Sequence, residues 1–146
     1  MNTASQTQPQ QQKPAQETPK AWGTTNLRCF IGAAQMRAIT MAERGEEGAH
    51  FTGLLEAFTE RVNTMPRVYQ QDGADDPIAF LHYFKGNADF YITERDLSHA
   101  QHQAFGLANL GYGGELGYIS ISELIANGVE LDLYFTPAPL STCKRC

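Results

Sequence analysis

The sequence is poor in charge, and poorest in positive charge. Charged residues make up 18% of its 146 residues, and eleven Lys and Arg stand against sixteen Asp and Glu, for a formal net charge of -5. A domain that grips nucleic acid by its phosphates presents a basic face, so that class of function is disfavoured. No run approaches the roughly 18–20 consecutive apolar residues that a membrane-spanning helix needs. There are three cysteines and no secretory-type apolar run near Met1, which points to a reducing cytoplasm rather than a disulfide scaffold. A Gly-x-Ser-x-Gly elbow is absent, and no Gly-Lys-Ser/Thr accompanies the glycine-rich stretch from Gly106 to Gly117. Serine-hydrolase and phosphate-loop chemistry therefore have no local support. The length suits one domain, not two.

What is present divides into three parts. Residues 1–21 hold six Gln and three Pro and no Leu, Ile, Val, Phe, Tyr or Trp. Such a segment cannot bury enough apolar surface to offset its ordering entropy, and it reads as a disordered leader. Residues 22–140 read as a single domain, and residues 141–146 as a flexible tail. Within the domain, the weak alternation of Asn26 to Ile31 suggests a short strand. Gly32 to Arg44 is rich in Ala, Met and Gln and suggests a helix. Phe51, Leu54, Leu55, Phe58 and Val62 fall on one helical face, and Pro66 ends that helix. Val68 to Pro77 is polar and turn-rich. The period then becomes alternating, with strands expected over Ile78–Phe84, Phe90–Thr93, Ala104–Leu110, Glu115–Ile119 and Leu131–Phe135. The Gly111-Tyr112-Gly113-Gly114 turn uses glycine for positive φ. Ser120-Ile121-Ser122-Glu123 has capping-box spacing, and Asn127-Gly128 supplies a helix stop. The fold class this predicts is α+β: an N-terminal helix pair, then a mainly antiparallel sheet of four to five strands with one short inserted helix.

Candidate chemistry is sparse. His99 and His102 are spaced to share a helix face, and Cys143-Lys144-Arg145-Cys146 is a CxxC; together they form a weak tetrahedral zinc set. The plainer reading is two surface histidines and a mobile thiol pair. Cys29 reads as a core thiol, and a Cys29–His82–Asp arrangement has nothing local to activate the thiol. Glu115 is the one acid inside the glycine-rich motif, a general base or an arginine partner. Strand-placed tyrosines could stack bases, but only Lys85 and Arg95 lie nearby to hold phosphates. Charge distribution says more. With the leader at +1 and Lys144 and Arg145 adding +2, the body carries seven basic and fifteen acidic residues. Asp72, Asp75 and Asp76 concentrate that excess in one loop, which can steer a basic partner or simply aid solubility.

The order Phe105-Gly106-Leu107-Ala108-Asn109-Leu110-Gly111, Glu115-Leu116-Gly117-Tyr118-Ile119-Ser120, Glu123-Leu124 and Asp132-Leu133-Tyr134-Phe135-Thr136-Pro137 follows the pattern FGLxxLG…ELGYxSxxEL…DLxFxP. It resembles a bacterial family of unknown function carried largely on plasmids and phages. Phe90-Tyr91-Ile92-Thr93-Glu94-Arg95-Asp96 fits the aromatic strand ending in Thr-Glu-x-Asp that precedes the motif there. The resemblance spans about residues 77–140. It departs at Ile125 to Glu130, which is shorter than the family's usual segment. It implies mobile-element biology and marks Glu94, Asp96, Glu115 and Tyr118 as candidate binding residues; it supplies no catalytic residues.

The function these readings lead to is a small, cytoplasmic protein-interaction module of a mobile element that binds a host or element-encoded protein, a basic nucleic-acid-binding protein being the candidate partner and counter-defence the setting, needing no cofactor. The alternatives are a metal-dependent or nucleotide-acting enzyme using His99, His102 and Glu115, and a nucleic-acid-binding accessory protein.

Overall fold

A computed structural model describes residues 27–143 of the chain. The expected leader, and Cys146 with its part of the CxxC, lie outside the described residues. The fold is α+β. Residues 27–30 are helical, followed by α1 (Ala33–Glu43) and α2 (Gly48–Thr64). Next come β1 (Ile78–Ala79), β2 (Leu81–Lys85), β3 (Ala88–Glu94), β4 (Ala104–Asn109) and β5 (Gly114–Ile119). The short helix α3 (Ile121–Ala126), β6 (Glu130–Leu131), β7 (Ala138–Pro139) and the single turn α4 (Leu140–Cys143) complete it. Five strands form an antiparallel sheet in the order β5-β4-β3-β2-β6, and β1 pairs with β7 in a separate two-stranded ladder. Among the described residues no helix is long and apolar enough to cross a membrane.

Strand alternation gives the sheet two unlike faces. Leu81, Tyr83, Ile92, Ala104, Ile119 and Leu131 point towards the helices and pack on Phe30, Ile39, Phe58 and Val62 in the main core. The stripe predicted for α2 does this work: Phe58 and Val62 are fully buried, with Phe51 and Leu55 packed at the margin. The Tyr83 hydroxyl donates to the Phe30 carbonyl, so the largest aromatic of this face satisfies its polar end inside the core. The other face holds a smaller cluster of Ala79, Tyr91, Leu107, Leu140 and Cys143. Gly106 lies where β4 presses closest on β3; a Cβ there would fall 2.0 Å from the Tyr91 carbonyl oxygen, so no other residue fits without moving a strand.

Several expectations are corrected. Residues 27–30 are helical, not extended. Leu27, Phe30 and Ile31 are all buried, and their spacing of three and four is that of a helix face. The strand expected over Ile78–Phe84 breaks at Phe80, because β1 leaves to pair with β7; Phe80 packs with the main core and Ala79 with the smaller cluster. The last strand stops at Leu131 rather than Phe135. Asp132 turns the chain there, its side chain accepting the Tyr134 amide and its carbonyl the Phe135 amide. The tail expected to be flexible forms α4 over its first residues. Cys143 is buried there, and Asp76 accepts hydrogen bonds from the Ser141 amide and hydroxyl. The Ser120 half of the capping box is present, with Ser120 Oγ accepting the Glu123 amide, and Gly111, Gly113 and Gly128 have the positive φ their turns need.

The two sheet edges also differ. At β6 the Gln35 side chain acts as a surrogate strand: its Nε2 donates to the Leu131 carbonyl at 2.8 Å and its Oε1 accepts the Leu131 amide at 2.9 Å. At β5 no strand pairs with the outer side among the described residues.

Candidate functional site

The site begins with a bulge. Across β3 and β4, Ile92 pairs with Gly106 but Glu94 pairs with Phe105, so Thr93 is an extra residue in β3. A bulge re-aims the residues after it. Here it brings Glu94 into line with Phe105 and, one strand further, Tyr118.

Glu94 is only 4% exposed. Its carboxylate accepts the backbone amides of Tyr69, at 3.0 Å, and of Gln71. These charge-assisted bonds are among the stronger kind and fix the polar loop over the end of the sheet. The loop is held from other sides as well. Gln71 Nε2 donates to the Ile78 and Thr93 carbonyls, its Oε1 accepts the Ile78 amide, and Arg67 and Arg95 form a parallel bridge. Tyr69 is held at a φ of 81°, an uncommon conformation for a non-glycine residue. Its phenol meets that of Tyr118 at 2.9 Å across the gap between loop and hairpin. Phe105 packs edge-on against Tyr118, ring centroids 5.5 Å apart.

Loop, bulge and hairpin together enclose a cleft of about 320 Å³. The nearly buried Thr93 and Glu94 line it together with Phe105, Leu116 and Tyr118 of the hairpin and with Tyr69 and the exposed, acidic Asp72 and Asp75 of the loop. Among the described residues that line it there is no lysine or arginine. The Tyr118 phenol is held above its ordinary pKa, first by the hydrogen bond with Tyr69, then by partial desolvation and the nearby Asp72 and Glu94 charges.

Of the residues singled out in the sequence, four meet here: Glu94, Tyr118, Asp72 and Asp75. The others do not. Asp76 is engaged with Ser141. Asp96 organises the turn after β3, accepting the His102 and Gln103 amides at 3.1 Å. Burial alone would raise its pKa, but the backbone donors of Gln103, Ser98, Leu97 and His102 outweigh that and hold it below the ordinary value. Glu115 is exposed and opposite Ala108, on the face away from Leu116 and Tyr118. His99 and His102 lie in a turn, not on a helix, so their spacing does not set them side by side. His102 Nδ1 is instead 2.8 Å from Ser122 Oγ. Among the described residues no three His, Cys, Asp or Glu side chains gather as metal ligands. Cys29 is half-buried at the margin of the main core, where burial pushes its thiol pKa up and away from reactivity.

Sequence reasoning missed Tyr69, Gln71, Phe105 and Leu116 as cleft residues. It also missed a polar cluster on the same sheet face. His82 stacks on Tyr91 at 4.6 Å, with Nε2 2.7 Å from Asp89 and Nδ1 2.9 Å from Asp132. The Asp89 half was accessible in principle, because the β2–β3 hairpin register sets His82 diagonal to Asp89. Asp132 arrives from fifty residues away and has no local signal. The cluster pins the hairpin to the segment after β6.

Comparison with family models, with curated proteins and with solved structures gave no match.

Proposed function

We propose that the chain is a protein-interaction module that docks a basic partner protein on the β4–β5 hairpin. The observation that carries this reading is the hairpin's surface. Leu110, Tyr112, Leu116 and Tyr118 are each more than half exposed on one hairpin whose outer strand, among the described residues, is an unpaired sheet edge. A group of exposed large apolar side chains, rather than single scattered ones, marks an interaction surface. Asp72 and Asp75, which line the cleft with Leu116 and Tyr118, supply negative charge, which selects a partner of opposite sign and speeds its encounter. In keeping with the resemblance of residues 77–140 to a plasmid- and phage-borne family, the partner we propose is a host protein, with counter-defence as the setting and a nucleic-acid-binding protein as its basic target.

The test is capture from bacterial lysate at low ionic strength with the full chain and its Leu116→Asp variant as parallel baits. The expected result is a basic protein retained by the full chain, released as salt is raised past the screening range, and absent from the variant bait. Identical recoveries on both baits overturn the proposal.

A further inference from the structure

We propose that the cleft between the residue 68–77 loop and the β4–β5 hairpin receives a lysine side chain, its ammonium seated on Glu94. The inference rests on the partner reading above and names the group that the partner inserts. Three features of the cleft select this chemistry. Its walls are aromatic and aliphatic, from Tyr69, Phe105, Leu116 and Tyr118, which suits a methylene stem and places ring faces beside a cation. Its nearly buried Glu94 supplies a carboxylate and the exposed Asp72 and Asp75 add negative charge, with no basic side chain among the described residues that line it. An anionic ligand would be repelled, and a purely apolar one would cover Glu94 without answering its charge. At about 320 Å³ the space is at the small end for a ligand site and fits one extended side chain.

The hydrogen bonds of Glu94 decide between lysine and arginine. Each carboxylate oxygen already accepts one backbone amide, Oε1 from Tyr69 and Oε2 from Gln71. The two-oxygen fork that a guanidinium matches is therefore partly occupied. An ammonium, a compact charge with three rotatable donors, needs only one remaining lone pair. The two phenols bridging the gap are the first contact a stem meets, and their mutual bond is easily exchanged for one with the entering group or water.

The experiment is an NMR titration of the isotopically labelled full chain with four capped pentapeptides, acetyl-Gly-Gly-X-Gly-Gly-amide, where X is lysine, Nε-acetyl-lysine, arginine or leucine. The expected result is that the lysine peptide shifts the backbone amides of Tyr69, Gln71, Thr93 and Leu116. Acetyl-lysine and leucine should bind about ten-fold more weakly or not at all, with arginine between, a ten-fold step being about 1.4 kcal/mol. Glu94→Gln should weaken lysine binding by a similar factor. Because that change also loosens the loop, Tyr118→Ala, at an exposed wall position, serves as the second variant with the same expected loss. Equal shifts from all four peptides, or none from the lysine peptide, overturn the assignment. If the lysine peptide fails while the lysate partner is still lost with Leu116→Asp, the lysine inference falls and the docking reading stands. If the lysine peptide binds and no partner is retained, the cleft assignment stands and the docking reading falls.

Discussion

The helix-covered face of the sheet presents Leu81, Tyr83, Ile92 and Leu131, all at 2% exposure or less. The opposite face of the same strands presents His82, Tyr91 and Leu107 and, beyond the bulge, Glu94. The first face is held by apolar burial, which is non-directional and sums over many contacts. The second has only the smaller apolar cluster around Tyr91 and Leu107 and adds a few directional bonds: His82 to Asp89 and Asp132, Glu94 to two loop amides, Asp76 to Ser141. Apolar packing fails as a unit. Directional pins fail one at a time and locally, which is the behaviour a surface needs if it is to admit a ligand without unfolding the domain.

That contrast can be broken most severely from the buried side. Ile92→Ala removes a fully buried side chain from the centre of the sheet and should cost about 3–4 kcal/mol, seen as an earlier urea midpoint with all probes moving together. Glu94→Gln should cost about 2 kcal/mol, because an amide has one acceptor oxygen for two loop N–H donors and leaves one unsatisfied. Its signature should be local, with faster hydrogen exchange at Tyr69 and Gln71 while amides in the helix-covered core stay protected. Asp96→Asn should cost about 1 kcal/mol and also change the pH profile. Asp96 has a folded pKa below its ordinary value, so its contribution is present above the usual carboxylate range and is lost as pH falls through the folded pKa. The variant should therefore show a flatter acid limb than the parent in denaturation midpoints measured from neutral pH downwards. Tyr118→Ala, at a 54% exposed position, should change stability by less than about 0.5 kcal/mol while weakening lysine-peptide binding by about ten-fold. A large stability loss there would mean that the outer face is held as the inner one is.

The same contrast explains what the sequence disclosed. The α2 stripe, the strand alternation and the Ser120 cap are local patterns, and each appears where its spacing puts it. Leu27, Phe30 and Ile31 also carry helical spacing, but six residues are too few to separate it from alternation. Glu94 and Tyr118 stood out in a linear motif and Asp72 and Asp75 in a charge run, yet their meeting depends on the Thr93 bulge and on loop closure across more than twenty residues. Residue parity along β5 does separate Glu115 from Leu116 and Tyr118, so its placement away from the cleft was readable once the strand was assigned. The turn that disperses His99 and His102 carried no such signal.

The Gln35 amide has a consequence for how copies of this chain can associate. A sheet with two bare edges is a template at both ends and can extend without limit, the hazard that ordinary proteins blunt at their margins. Here the β6 margin is already saturated by a side chain from α1, while β5 has an open side among the described residues. Addition through that one edge is self-terminating: two copies joined β5 to β5 about a two-fold axis leave only stoppered margins outward, so such pairing closes as a dimer and does not propagate as a fibre.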